Sequence, residues 1–198
     1  MSAQPASRDR LSFVVGGLMA DEAAIAAPLQ MELRLWAGVR VALVEGNLLH
    51  ARTRATSVRL ARELVQRMAM LTEEEVSALA TSLAPDRAHL MWAAMCRRYP
   101  LVADFAESVL REHFLLGQQT LTPEDFDRFW AGRALWHPEL DGISASTRRK
   151  LRTNLFLALR QSGMLSPAGV IVPPLMSEGV SALLRRRLPS DLRFFPVR

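Results

Sequence analysis

Signals for helix boundaries recur along this chain at intervals that suit short α-helices, and they constrain its fold more than any other feature. Thr72 and Glu75 have the spacing of a capping box, in which a threonine oxygen and a glutamate carboxylate bind backbone amides of the first turn. Thr122 is placed as an N-cap before Pro123, which fits a first helical turn because the amide it lacks has no partner there. These signals predict an all-α, mainly helical protein.

Apolar periodicity assigns the helices between these signals. One amphipathic pattern covers about 20–45 with a break near Pro28, and the other predicted helices cover about 55–70, 72–84, 85–97, 100–116, 122–137, 146–162 and 174–187. The stretch "MLSPAGVIVPP" has two short apolar runs around a turn, which predicts a small β-hairpin. We therefore predict a helical bundle of two units, 1–84 and 85–198, with a winged-helix-like segment at about 122–172 in the second.

The composition is that of a folded protein whose stability does not depend on disulfide bonds or structural metal ions. Apolar residues make up 49% of the 198 residues and charged residues 23%, which excludes a disordered chain. A single cysteine, Cys96, excludes a disulfide framework and a thiolate metal cluster. The apolar run "FVVGGLMA" is too short to cross a bilayer, which requires about 20 residues, and it does not have the pattern of a signal peptide. We expect a cytoplasmic protein with no membrane contact.

Residue patterns that carry catalysis or metal binding are missing from the sequence. It has no Walker loop, no GxGxxG and no GxSxG, and its histidines are isolated from one another. We therefore expect no enzymatic activity, no cofactor, no metal and no small-molecule substrate. His89 and Cys96 lie two helical turns apart and are interpreted as a core-lining pair. The helical periodicity also favours core positions over base stacking for the four tryptophans, Trp36, Trp92, Trp130 and Trp136.

The net charge of +5 is concentrated in particular segments of the chain. Residues 142–172 carry +5 with no acid, residues 51–71 carry +4, and residues 72–141 carry −6. A helix over 146–162 would be about 25 Å long, and its first two turns would fit a major groove about 12 Å wide. The amides at its N-terminus also favour phosphate. The predicted DNA-binding residues in these turns are Arg148, Arg149, Lys150, Arg152 and Thr153.

A second basic cluster on the predicted helix at 55–70 is a weaker candidate, because Glu63 lies within it. Its candidate residues are Arg52, Arg54, Arg59 and Arg62. A basic helical face is often only solvated surface, and it could equally meet an acidic protein partner or structured RNA. The order helix, helix, basic helix, hairpin is that of a winged helix-turn-helix, which favours double-stranded DNA.

Several longer segments resemble, in order and spacing, the BrxA family of bacteriophage exclusion (BREX) systems. The resemblance covers roughly residues 11–190, and its most distinctive parts are "ARTRATSVRLAREL" and "STRRKLRTNLFLALRQSGML". It implies a small, mostly helical, non-enzymatic bacterial protein that binds duplex DNA and works with other proteins of the defence system. The family also has a looser likeness to the NusB-type helical fold, which keeps RNA binding as an alternative. The last dozen residues match least well.

Overall fold

The computed structural model describes residues 17–198, and within them the chain forms ten α-helices joined by short turns. The mainly helical class predicted from the sequence is confirmed. None of the helices in residues 17–198 combines the length and the apolar character that crossing a bilayer requires. The helices are α1 (Ala20–Leu33), α2 (Trp36–Glu45), α3 (Arg54–Met68), α4 (Glu73–Thr81), α5 (Ala84–Arg98), α6 (Pro100–Phe105), α7 (Glu112–Leu115), α8 (Pro123–Ala134), α9 (Ala145–Gln161) and α10 (Glu178–Arg185).

The predicted capping residues begin their helices as expected. The Thr72 amide donates to Glu75 Oε2 at 2.8 Å, and the Glu75 amide donates to Thr72 Oγ1 at 3.2 Å. The Thr122 amide likewise donates to Asp125 Oδ2 at 2.7 Å. Both capping boxes are complete, which confirms the sequence prediction for the starts of α4 and α8.

The first break in the helical pattern lies later than predicted. Pro28 is exposed within α1 and does not end it, and the break comes at Arg34 and Leu35. Arg34 adopts a φ of +58° and its amide donates to the Gln30 carbonyl at 2.9 Å, which closes the helix. Because α1 packs along α4 and α5 through buried alanines, tertiary contacts outweigh the one hydrogen bond that the proline removes.

Helix α5 is the centre of the core. Its residues 88–96 are all buried, and α5 packs against α1, α3, α4, α6 and α9. The buried apolar residues of 1–84 that the structure describes and those of 85–198 form one connected cluster. The division into two units therefore stays a prediction, and the two parts share their core.

The C-terminal residues close the core. A 3-10 turn spans Asp191–Phe194, and the Trp92 indole donates to the Phe194 carbonyl at 2.9 Å. Phe195 is completely buried. The segment that matches the family least well in sequence is thus part of the folded core.

Candidate nucleic-acid interface

The basic helix predicted at 146–162 is present as α9 and is amphipathic. Ser144 is its N-cap, with the Thr147 amide donating to Ser144 Oγ at 3.2 Å. Leu151, Leu155 and Leu159 are completely buried along one side. Since they follow the spacing of a single helical face, the basic residues between them point away from the core.

An aromatic cluster holds α9 against the neighbouring helices. The ring centroids of Phe105 on α6 and Phe156 on α9 lie 6.4 Å apart. Phe105 also contacts Phe126 at 5.8 Å and Phe129 at 5.3 Å, both on α8. The position of α9 relative to α8 is therefore set by large, mostly buried aromatic side chains.

Three extended segments lie next to the C-terminal end of α9. The Ser166 amide donates to the Val170 carbonyl at 2.9 Å, and the Val172 amide donates to the Met164 carbonyl at 2.9 Å. The Leu121 amide in turn donates to the Gly169 carbonyl at 2.8 Å. Gly169 has a φ of +82°, and a Cβ there would lie 3.0 Å from the Leu121 carbonyl oxygen, so the close approach requires glycine. In residues 17–198 this pairing consists of isolated antiparallel bridges and not of a sheet.

The structure brings three of the predicted arginines together at the start of α9. Arg148, Arg149 and Arg152 surround a small cavity of about 240 Å³ with Ala145 and Asp127. Lys150 follows Arg149 on the same two turns and is exposed. The first half of α9 therefore presents a concentrated positive surface, the arginine cluster, defined as Arg148, Arg149 and Arg152.

One acid that sequence reasoning missed opposes this cluster. Asp127 on α8 accepts a hydrogen bond from Arg152, and its Oδ1 lies 4.0 Å from Arg148 Nε. The cluster is thus partly neutralised from within the chain. No sequence signal could have identified this contact, because it depends on how α8 and α9 cross.

The other predicted residues of α9 differ in whether their charged or hydrogen-bonding groups are available to a ligand. Arg149 and Lys150 are exposed and make no ion pair with any residue of the part that the structure describes. The Thr153 hydroxyl donates to the Arg149 carbonyl at 2.9 Å, so its hydrogen is used within the helix. Among the predicted residues of α9, Arg149 and Lys150 are therefore the cations most available to a polyanion.

The second basic cluster lies on and before α3. Arg52, Arg59 and Arg62 are exposed, whereas Arg54 pairs with Glu45 at 2.7 Å. Glu63, which weakened this cluster in the sequence, is buried and accepts a hydrogen bond from the buried Arg67 at 2.8 Å. The acid thus points into the core and does not neutralise the exposed arginines.

Burial shifts the pKa of two side chains of α5 towards their uncharged forms. Burial raises the pKa of the Cys96 thiol well above its usual value, which keeps it protonated. Burial lowers the pKa of His89, against smaller opposing effects of Asp86 and Ser162, so its imidazole is neutral. Residues 17–198 contain no group of three or more histidine, cysteine, aspartate or glutamate side chains placed to hold a metal ion.

The tryptophans do not all occupy core positions. Trp92 and Trp130 are buried as predicted, and Trp36 is half-buried. The prediction is wrong for Trp136, which is 82% exposed just after α8. It lies in the turn that follows α8, and helical periodicity does not extend beyond the end of a helix.

Comparisons with known proteins give a family and a fold. The family model BrxA matches residues 10–187 of this chain. The crystal structure of an uncharacterized protein from Magnetospirillum magneticum is similar to it with a TM-score of 0.82 and 20% sequence identity, covering 96% of this chain and 100% of that one. At this identity the similarity shows the fold alone. None of the curated proteins matches the chain.

Proposed function

Because this chain belongs to the BrxA family of BREX phage-defence proteins, we propose that it is a non-enzymatic cytoplasmic accessory protein that binds double-stranded DNA. Family membership confirms the resemblance carried by the sequence segments. The single observation that supports DNA binding best is the basic start of α9. There the arginine cluster and Lys150 are opposed by one acid, Asp127.

In the proposed complex, the first two turns of α9 lie in the major groove and contact phosphates. The order of α8, α9 and the hydrogen-bonded segment 164–172 supports a winged-helix arrangement, in which the turn at Gly169 flanks the recognition helix. Arginine guanidinium groups suit phosphate oxygens because they can bind them in a forked geometry. Contacts mostly to phosphate give weak sequence preference, since base edges specify sequence.

We assign the exposed arginines near α3 as a second contact with DNA. Arg52, Arg59 and Arg62 are exposed, and Arg54 becomes available if its exposed pair with Glu45 opens. An exposed ion pair of this kind contributes only about 0.2–1 kcal/mol, so phosphate competes with it readily. Other proteins of the defence system are the proposed protein partners.

A binding titration at several salt concentrations tests the proposal. Contact of α9 with about four phosphates contributes about −3.6 to the log-log salt slope, and contacts near α3 make the slope steeper. Replacing the arginine cluster (Arg148→Ala, Arg149→Ala, Arg152→Ala) is expected to weaken duplex binding at least tenfold and to make the slope shallower by about 2.7. Fluorescence anisotropy with labelled duplex DNA measures both quantities.

A control variant that loses the same number of positive charges separates the effect of local contacts from that of general electrostatic attraction. The exposed Arg34, Arg185 and Arg186 lie outside α9, and replacing all three by alanine removes the same charge. This variant is expected to retain most of the duplex affinity. Unchanged affinity in the arginine-cluster variant would contradict the proposal, and tighter binding of hairpin RNA than of duplex DNA would favour the RNA alternative.

A further inference from the structure

A groove of about 890 Å³ lies on another side of α8, between α8 and the helical segments 100–116. Asp125, Phe129, Gly132 and Trp136 line it at spacings of three and four residues, which form one face of α8 and its continuation. The opposite wall includes Glu107 and Glu112 and contains a π-helical segment, Ala106–Arg111. We call this the acidic groove.

Carboxylates outnumber arginines along the acidic groove. Its acids are Asp104, Glu107, Glu112 and Asp125, its arginines are Arg128 and Arg133, and its histidines are His113 and His137. Both arginines are already held by groove acids, Arg128 by Asp125 and Arg133 by Asp104. Arg193 approaches Glu107 at 3.2 Å, whereas Glu112 is exposed and makes no ion pair within residues 17–198.

Asp125 lies buried in the wall of the groove and is paired with Arg128. Burial raises the pKa of its carboxyl, but the hydrogen bonds from Thr122, together with His113 and Arg128, outweigh burial and lower it below the usual range. Asp125 is therefore ionised at neutral pH. Since the other three acids are paired with arginines, Glu112 is the groove carboxylate that is available to a lysine or arginine side chain of a ligand.

Large apolar side chains are exposed beside these acids. Trp136 is 82% exposed and Leu116 is 73% exposed, and both line the groove. Exposed tryptophan is unusual on a protein surface and common at the centre of protein interfaces. Its ring can also stack with a cationic side chain. An occupant that carries both apolar and cationic groups therefore matches the groove.

The groove and the arginine cluster lie on different sides of α8. Asp127 faces Arg152, and Phe129 lines the groove two residues later. At 3.6 residues per turn, this separation is about 200° around the helix axis. A ligand in the groove therefore leaves the start of α9 accessible.

From this geometry we propose that the acidic groove docks a basic amphipathic helix of a partner protein. The apolar face of that helix packs on Phe129, Leu116 and Trp136, and a lysine or arginine side chain of the same helix pairs with Glu112. This is the helix-in-groove mode of recognition, in which apolar anchors recur at i, i+3, i+4 and i+7. Through the two sides of α8, the protein joins this partner to DNA.

A designed peptide tests the proposal with the full chain. The probe is a labelled peptide of about 18 residues with leucine on one helical face and lysine on the other, long enough to form a helix. The comparison peptide carries glutamate in place of each lysine. We expect the lysine peptide to bind with micromolar Kd and the glutamate peptide to bind at least about tenfold more weakly. Anisotropy titrations measure both.

Variants of the groove residues test whether the lysine peptide binds in the acidic groove. Gly132→Leu fills the groove, and it is compatible with folding because a Cβ at Gly132 meets no atom within 4 Å. It is expected to weaken peptide binding at least about tenfold while leaving duplex DNA affinity unchanged. Trp136→Ala and Glu112→Lys are expected to weaken binding as well. Glu32→Lys, the same charge change at an exposed position of α1, is the matched control and is expected to bind like the wild type.

Three results of the peptide titrations would overturn the proposal. They are equal binding of the lysine and glutamate peptides, undiminished binding by both Gly132→Leu and Trp136→Ala, and no binding of the lysine peptide. A wild-type dimer that Gly132→Leu dissociates in sedimentation experiments would identify a second copy of this chain as the occupant and would also overturn it. Because DNA affinity is measured separately, a failure here is distinguishable from a failure of the proposed function.

Discussion

At the scale of single residues, Asp127 decides how much positive charge α9 presents. It accepts a hydrogen bond from Arg152 and lies 4.0 Å from Arg148, so two of three arginines in the cluster face the same carboxylate. A DNA phosphate that binds these arginines must compete with it. Asp127 therefore weakens phosphate binding while it holds the arginine side chains in place.

Asp127→Asn is expected to strengthen duplex binding about threefold to tenfold, because a charge opposing the phosphates is removed while the amide can still accept a hydrogen bond. This corresponds to about 1 kcal/mol, the size of a single exposed charge interaction. Anisotropy at a fixed low salt concentration measures the change. Glu124→Gln removes an exposed acid from the same helix and is the control. An affinity equal to or below that of the wild type would contradict this role of Asp127.

The sequence predicts the cations of α9 but not their partners. Helical periodicity is local, so the buried Leu151 and Leu155 are enough to place Arg149 and Lys150 outside. The pairing of Asp127 with Arg152 depends instead on the packing of two helices. The same limit explains why the burial of Glu63 is not predicted. In the sequence it resembles a surface acid, but in the structure it is buried beside Arg67.

At the scale of elements, two glycines respond in opposite ways to the same substitution. Gly132 lies within α8, where a Cβ meets no atom within 4 Å, so Gly132→Ala is expected to raise the free energy of unfolding by up to about 1 kcal/mol. Gly169 has a φ of +82° and its added Cβ would press on the Leu121 carbonyl. Gly169→Ala is therefore expected to lower the free energy of unfolding by about 1 kcal/mol or more. Urea unfolding measures both, and shifts of the same sign would contradict this account.

Helix starts are the elements that the sequence predicts best. Thr72 and Thr122 each begin the helix expected of them, because capping needs only residues within one turn. The π-helical segment Ala106–Arg111 has no such local signal. It packs against the turn Asp191–Phe194, far along the chain, and periodicity within one segment does not encode that contact.

At the scale of the whole molecule, a buried ionic network joins the two predicted units. Arg97 on α5 donates to both Glu75 oxygens at 2.6 Å, to Asp191 at 2.7 Å and to the Met70 carbonyl at 3.0 Å. All three charged side chains are 5% exposed or less. Segment charges counted from the sequence locate the acidic middle of the chain. They cannot show that Glu75 is buried in an ion pair or that Glu112 is exposed on the surface.

This network makes the stability of the molecule depend on pH. Burial raises the pKa of Glu75, but hydrogen bonds from Arg97 and Thr72 and the nearby positive charges outweigh it, and the pKa is lowered from 4.5. A carboxyl whose pKa is lower in the folded state stabilises the fold above its unfolded pKa. That contribution is lost as the pH falls below about 4.5 and through the folded pKa, because the unfolded state then binds more protons.

Glu75→Gln is therefore expected to lower the free energy of unfolding by about 3 kcal/mol at pH 7, since it leaves Arg97 with only one of its two carboxylate partners. The difference from the wild type is expected to narrow as the pH falls from about 4.5 to 3, because the wild type loses the same charge by protonation. Urea unfolding across this pH range measures the difference in free energy of unfolding.

Asp125, whose pKa is also lowered, is present in both proteins, so its contribution to the pH dependence cancels in the comparison. Glu32→Gln removes an exposed carboxylate and controls for loss of surface charge. A difference between Glu75→Gln and the wild type that stays constant with pH would show that this ion pair does not link the two halves of the fold electrostatically.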